Sequence, residues 1–140
     1  MMTADEKLLS DLVVKSTFGG EMCEFRPCAY FDEPLDCIRV IARDCSVTET
    51  RVSPRLTVLE DNYADPGAGR ELYVGFTIKG AKHFCQEQGI DLTVPVSLSE
   101  LLDKMLAESA EPFVRMAVEA IARPLVQDKK LAAVSLATAA

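Results

Sequence analysis

Three features of the sequence predict an α+β fold. Glu71–Lys79 sets four apolar residues in strict alternation, Leu35–Arg43 has one apolar and one mixed face, and apolar residues recur at helical spacing on both sides of that region. Together they predict a three- to four-stranded antiparallel β-meander over about residues 35–79, packed by N-terminal and C-terminal helices. A chain of 140 residues suits a single domain over 1–140. There is no internal repeat, and the Asp61–Arg70 loop is too short to link two domains.

Taken in order, Thr3 and Glu6 make a capping box before Leu8, Leu9, Leu12 and Val13, which predicts a helix over 4–14. Gly19-Gly20 breaks it. Glu21–Pro34 reads as irregular, punctuated by Pro27 and Pro34, with a short strand around Met22–Phe25. In Leu35–Arg43 the side chains of Ile38, Val40 and Ala42 share one face, and Cys37, Arg39, Ile41 and Arg43 the other, so one side packs and the other is wetter. Val47–Val52 is rich in β-branched residues, Pro54 interrupts it, and Arg55–Glu60 resumes the pattern, as one bent strand or two. Asp65-Pro66-Gly67 and Gly69 mark a loop. In Glu71–Lys79 the residues Leu72, Val74, Phe76 and Ile78 fix the register, because a one-residue slip would move all four into water.

After Gly80 the period lengthens to that of a helix. Ala81, Phe84 and Cys85 predict a helix over 80–88, stopped by Gly89. Ile90–Val96 is extended, and Pro95 limits its pairing. Ser97 and Glu100 form a capping box, and Leu98, Leu101, Leu102, Met105 and Leu106 predict an amphipathic helix over 98–108. Pro112 opens a helix over 112–123 whose apolar face is Phe113, Met116, Ala117, Ala120 and Ile121, widened by Val114 and Val118; Pro124 ends or kinks it. The Ala-rich stretch Gln127–Ala140 permits one more short helix with a frayed end.

The motif Phe31-Asp32-x-x-x-Asp36-x-Ile38-x-Val40, the middle strand Arg55–Glu60, and Val74-Gly75-Phe76-Thr77-Ile78 with the small-residue turn Gly80-Ala81 resemble a family of short bacterial proteins of uncharacterised function. The resemblance spans about Phe31–Ala81. It implies a small antiparallel sheet with a helix behind it, and no reaction. The chain departs from that family in its longer helical flanks and its longer loop before the last strand.

Composition narrows the function classes. The net charge of −7 and sequence pI of about 4.7 repel phosphate backbones and anionic membrane surfaces, and the only adjacent basic pair is Lys129-Lys130. Neither nucleic acid nor membrane is therefore expected as a partner. Asp5, Glu6 and Lys7 with no apolar run behind them predict no leader, hence a cytoplasmic protein. Five cysteines without a repeated Cys-x-x-Cys fit thiols in a reducing compartment.

Few residues suggest chemistry. Asp32 and Asp36 are a carboxylate pair suited to acid–base work or a cation, but aspartates also cap turns. His83 and Cys85 would make a base and nucleophile, yet residues two apart on a helix do not face each other. Cys23, Cys28, Cys37, Cys45 and Cys85 match no metal-ligand spacing. At the Asp44-Cys45-Ser46 turn the acidic neighbour raises the thiol pKa. Neither Gly19-Gly20 nor Gly67–Gly69 has the context of a phosphate loop. No catalytic, metal or cofactor residue is assigned. The first expectation is a non-enzymatic homodimeric interaction or regulatory protein, pairing through the C-terminal helices or a sheet edge, with a further protein partner. A small-ligand module with its pocket between sheet and helices is the alternative, and an enzyme or metal protein using Asp32, Asp36 and His83 the third.

Overall fold

Period-two alternation builds the sheet, and the register shows what it buries. The computed structural model describes residues 25–65, 67 and 72–136. Five strands form the main sheet: β1 (Cys28–Asp32), β2 (Cys37–Ile41), β3 (Val47–Arg51), β4 (Leu56–Asp61) and β5 (Tyr73–Lys79). All neighbours are antiparallel, in the order β1-β2-β5-β4-β3. Ile38 faces Ile78, which faces Leu56; Val40 faces Phe76, which faces Val58. These two apolar rows cross the three inner strands, and each of the six residues is 3% exposed or less. Burying each contributes about 1.5–3 kcal/mol.

The α+β class stands, with two refinements inside it. The strands number five because β1 occupies part of Glu21–Pro34, the segment that reads as irregular. Its burial does not alternate, and prolines at 27 and 34 bracket it, so neither periodicity nor propensity marks it as a strand. The order is also not that of a sequential meander. β5 inserts between β2 and β4, so residues 42–46 cross the ends of two strands before β3 begins, giving a Greek key over β2 to β5. Three strand spacings are roughly 14 Å, within the reach of five extended residues. Pro54 separates two strands, not one bent strand. Ser53 Oγ accepts from the N–H groups of Arg55 (3.2 Å) and Leu56 (3.0 Å), closing the β3–β4 turn.

Four short helices and a small ribbon cover one face. They are α1 (Ala81–Glu87), α2 (Leu98–Glu108), α3 (Pro112–Ala117) and α4 (Arg123–Asp128), with a π-helical segment Val118–Ala122 joining α3 to α4. In α2 the inward stripe is Leu98, Leu101, Leu102 and Met105, and Ser97 Oγ accepts from the Glu100 N–H at 3.2 Å. The helix predicted to stop near residue 123 runs on to Asp128. Pro124 has no N–H to give the carbonyl of Ala120. The π segment absorbs this by lengthening the ladder, with the Arg123 N–H bonded to the Val118 carbonyl. Arg123 then ties this rod to α2, with Nη2 at 2.7 Å from Asp103 and 3.2 Å from Glu119.

Beyond Asp128 the described residues hold a short strand and no helix. Lys130 turns the chain at a φ of 55°, and β7 (Ala133–Val134) pairs with β6 (Val96–Ser97). Val134 and Leu136 are 5% and 1% exposed, so a two-residue period and tertiary burial override the helix propensity of the alanines. Of the extended stretch Ile90–Val96, only Val96 pairs. The helix predicted over 4–14 lies outside the described residues, as does all of the short strand around Met22–Phe25 except Phe25.

The second face of the sheet is not wet at its centre. Cys37, Thr57, Leu59 and Thr77 point away from the helical layer, yet all are 4% exposed or less. The Arg39 guanidinium lies 3.5 Å from Glu49, and β5 and β4 run between their strands, so the two side chains lie flat across this face. Gly75 is needed here: a Cβ at that position would sit 2.2 Å from the Val40 carbonyl oxygen.

Candidate functional site

The aspartate pair does turn and cap work. Asp32 Oδ1 accepts from the Leu35 N–H at 3.4 Å, inside the β1–β2 turn. Asp36 sits at a φ of 46°, a conformation that Asp tolerates better than most residues, and its N–H reaches the Glu33 carbonyl at 3.0 Å. Its carboxylate leaves this turn altogether. Oδ1 accepts from the Lys82 N–H at 2.7 Å, and the Asp36 carbonyl accepts from the Ala81 N–H at 3.1 Å. Asp36 thus caps the first turn of α1 from a distant part of the chain, where Gly80 at the N-cap has no side chain to do so.

His83 and Cys85 point apart. His83 is exposed, with Nε2 at 2.8 Å from Glu87 one turn on, and Cys85 is fully buried. Cys28, Cys37, Cys45 and Cys85 are free thiols, and Cys23 lies outside the described residues. Burial first, and then the Asp61 carboxylate, push the Cys45 thiol up. Burial does the same at Cys37 and Cys85, with Asp32 and Asp36 as the next causes. Cys37, Cys45 and Cys85 are therefore less ionised, and so less reactive, than a free cysteine at neutral pH. Among the described residues, no group of three His, Cys, Asp or Glu side chains is placed to hold a metal ion.

Two surface features carry more information. The first is a cavity of about 420 Å³ between the start of β5, the end of β2 and the π-helical rod. Ile121, Pro124 and Leu125 give it an apolar wall; Arg43, Tyr73, Asp128 and Lys129 edge it. The π segment Val118–Ala122 supplies Ala120 and Ile121 to its lining. Sequence reasoning noted Arg43 and the Lys129-Lys130 pair separately. Nothing local joins them, since it is the Greek-key order that sets the end of β2 beside β5.

The second feature is on α3. The predicted inward face included Phe113 and Met116, but these are 68% and 58% exposed, while Val114, Ala117, Val118 and Ala122 are buried. The π segment explains part of this. One extra residue in the helical ladder turns the surface by about 100°, so no single straight stripe runs from residue 113 to residue 121. Val114 also lines a shallow groove of about 210 Å³ with Pro54, Arg55, Met105 and Glu108. Arg55 is firmly placed there, 4.2 Å from the centre of the Phe84 ring and 3.8 Å from Glu108.

Comparison of the chain with protein families, with curated proteins and with solved structures finds no match in any of the three.

Proposed function

We propose that this is a cytoplasmic interaction or regulatory protein that works as a homodimer, and that the dimer contact centres on α3. The observation that carries the reading is the exposure of Phe113 and Met116 side by side, at i and i+3, on a helix whose other face is already buried. A second copy is the occupant that the local chemistry favours. Phe113 precedes Val114, which lines the groove, and a two-fold axis would let each Phe113 enter the groove of its partner. The charges on α3 are self-complementary in the same way. Glu111 and Arg115 make no ion pair among the described residues, and a two-fold axis would set Arg115 of one copy against Glu111 of the other. The β3 edge suits pairing less well, because Thr48, Glu49, Thr50 and Arg51 are all exposed and polar. No helix among the described residues is long and apolar enough to cross a membrane.

Light scattering on the eluting protein tests this directly. The expected mass is twice 15.3 kDa at micromolar concentration. Phe113→Glu and Met116→Glu should each give a monomer with unchanged circular dichroism. A wild-type monomer, or dimers that survive both substitutions, would overturn the reading.

The cavity beside the π segment supports a second reading, in which the protein binds a small molecule between sheet and helices. Its volume is that of ordinary ligand pockets, and its wall is apolar with a few polar groups at the edge. A stabilising compound found by thermal melting, and lost when Ile121→Trp fills the space, would support it.

A further inference from the structure

The geometry points to a class of ligand for that cavity: a small amphipathic anion, with an apolar body along Ile121, Pro124 and Leu125 and a carboxylate held at the Lys129 edge. The inference rests on reading the cavity as a ligand site and adds the chemistry of what enters it.

The apolar half follows from the wall. Ile121, Pro124 and Leu125 line the cavity from the rod, and residues 73 and 74 border it from the sheet. Nothing on that wall can hydrogen-bond a ligand through a side chain, so the part of the ligand that lies there has to be hydrocarbon.

The sign of the polar end follows from which charges are already engaged. Arg43 is paired with Asp61 at 3.3 Å, so its charge is already engaged. The remaining charges are Asp128, Lys129 and, next to them, Lys130. None makes an ion pair among the described residues, and together they carry one net positive charge. This is the only adjacent basic pair in a chain of net charge −7. Tyr73 also lines the cavity, and no partner of its hydroxyl is found among the described residues.

One opposing effect needs weighing. The end of a helix presents carbonyl oxygens, which repel anions. Here the last carbonyls are occupied: Leu125 accepts from the Lys129 N–H at 3.1 Å, Val126 from Leu131 at 3.0 Å, and Gln127 from Lys130 at 3.3 Å. The positive side chains therefore set the local field.

The test uses three probes of one chain length, titrated by calorimetry into the full chain: octanoate and octylammonium below their micellar concentrations, and octanol below its solubility limit. Octanoate should bind one per chain, more tightly than octanol, with octylammonium weakest. Lys129→Gln should weaken octanoate about tenfold, the loss of one charge-assisted hydrogen bond, and leave octanol unchanged. Ile121→Trp should abolish all three. Phe113→Glu, on the far end of the rod, should leave octanoate affinity unchanged. If octanol or octylammonium binds as well as octanoate, or Lys129→Gln has no effect, the anion assignment falls while the ligand site stands. If no probe binds, or Ile121→Trp binds them all with full affinity, the site itself falls and the assignment with it.

Discussion

Two threonines on the second face of the sheet carry a cost that a single substitution exposes. Thr57 and Thr77 are opposite each other on β4 and β5, and Arg39 is opposite Thr77 on β2. The hydroxyls of both threonines and the Nε of Arg39 are buried with no hydrogen-bond partner among the described residues. A buried polar group left unmatched costs about 1–3 kcal/mol, whereas a methyl of the same shape in its place costs little. Thr57→Val should therefore stabilise the protein by about 1 kcal/mol. In urea this reads as a higher midpoint with an unchanged slope; a lower midpoint would mean the hydroxyl has a partner after all. Asp36 is the converse case, a polar group whose every role is local structure. Asp36→Ala removes the acceptor for the Lys82 N–H and puts a residue with no local hydrogen bond at a φ of 46°. The two losses together should cost about 2–3 kcal/mol. Asp36→Asn keeps an acceptor and tolerates the same backbone, so its melting temperature should stay close to wild type. If Asp36→Ala melts with wild type, the capping role is wrong. Both aspartates are visible in the sequence as a pair, but a pair of carboxylates reads the same whether it awaits a cation or holds a turn. What decides is where the N–H groups of residues 35, 81 and 82 lie, and the last two come from 45 or more residues away along the chain.

Elements whose signals are local were legible from the residues alone, and α2 shows why. Its cap, its stripe and its end all lie within thirteen residues, from Ser97 to Ser109. The same locality makes its start testable. Ser97→Ala leaves the Glu100 N–H without its acceptor and should cost about 1 kcal/mol, while Ser97→Asp should match or exceed wild type because a carboxylate also suits the positive end of a helix. Chemical denaturation of the two variants side by side distinguishes a cap from a bystander. Elsewhere the deciding partner is remote. β1 has no alternation of its own and exists as a strand because β2 offers it an edge. β7 is two residues long and is held by β6, some 37 positions earlier in the chain. Pro124 announces a break, yet the helix passes through it, because the π segment lets the rod stay packed on α2 and β5 at that point. In each case tertiary contact outweighs a local preference of about 1–3 kcal/mol.

At the scale of the molecule, strand order governs what the residues can do together. Arg43, Tyr73 and Lys129 come from three separate stretches and edge one cavity only because β5 inserts beside β2. Alternation identifies the strands but is blind to their order, so that cavity had no signature in the sequence. The two-layer burial has a further consequence, in alkali. Cys37 sits under the second face of the sheet and Cys85 on α1 under the first, and burial raises both thiols above their ordinary value of 9.0. A raised value means that the folded protein keeps these protons at a pH where the unfolded chain has lost them. Stability therefore falls as pH rises past about 9.0, and the fall ends only above the folded values. Below that pH the thiols contribute no slope. The wild-type curve alone does not isolate the thiols; a difference does. Cys85→Ala should lower stability at pH 7 through the small cavity it leaves. Its stability should then decline less steeply than wild type between about pH 9 and 11, since one of the two buried protons is gone. Urea unfolding at closely spaced pH values measures both slopes. Parallel curves would show that the Cys85 thiolate is accommodated in the fold, by water entering beneath α1 or by local opening, and that its burial is less complete than the native packing implies.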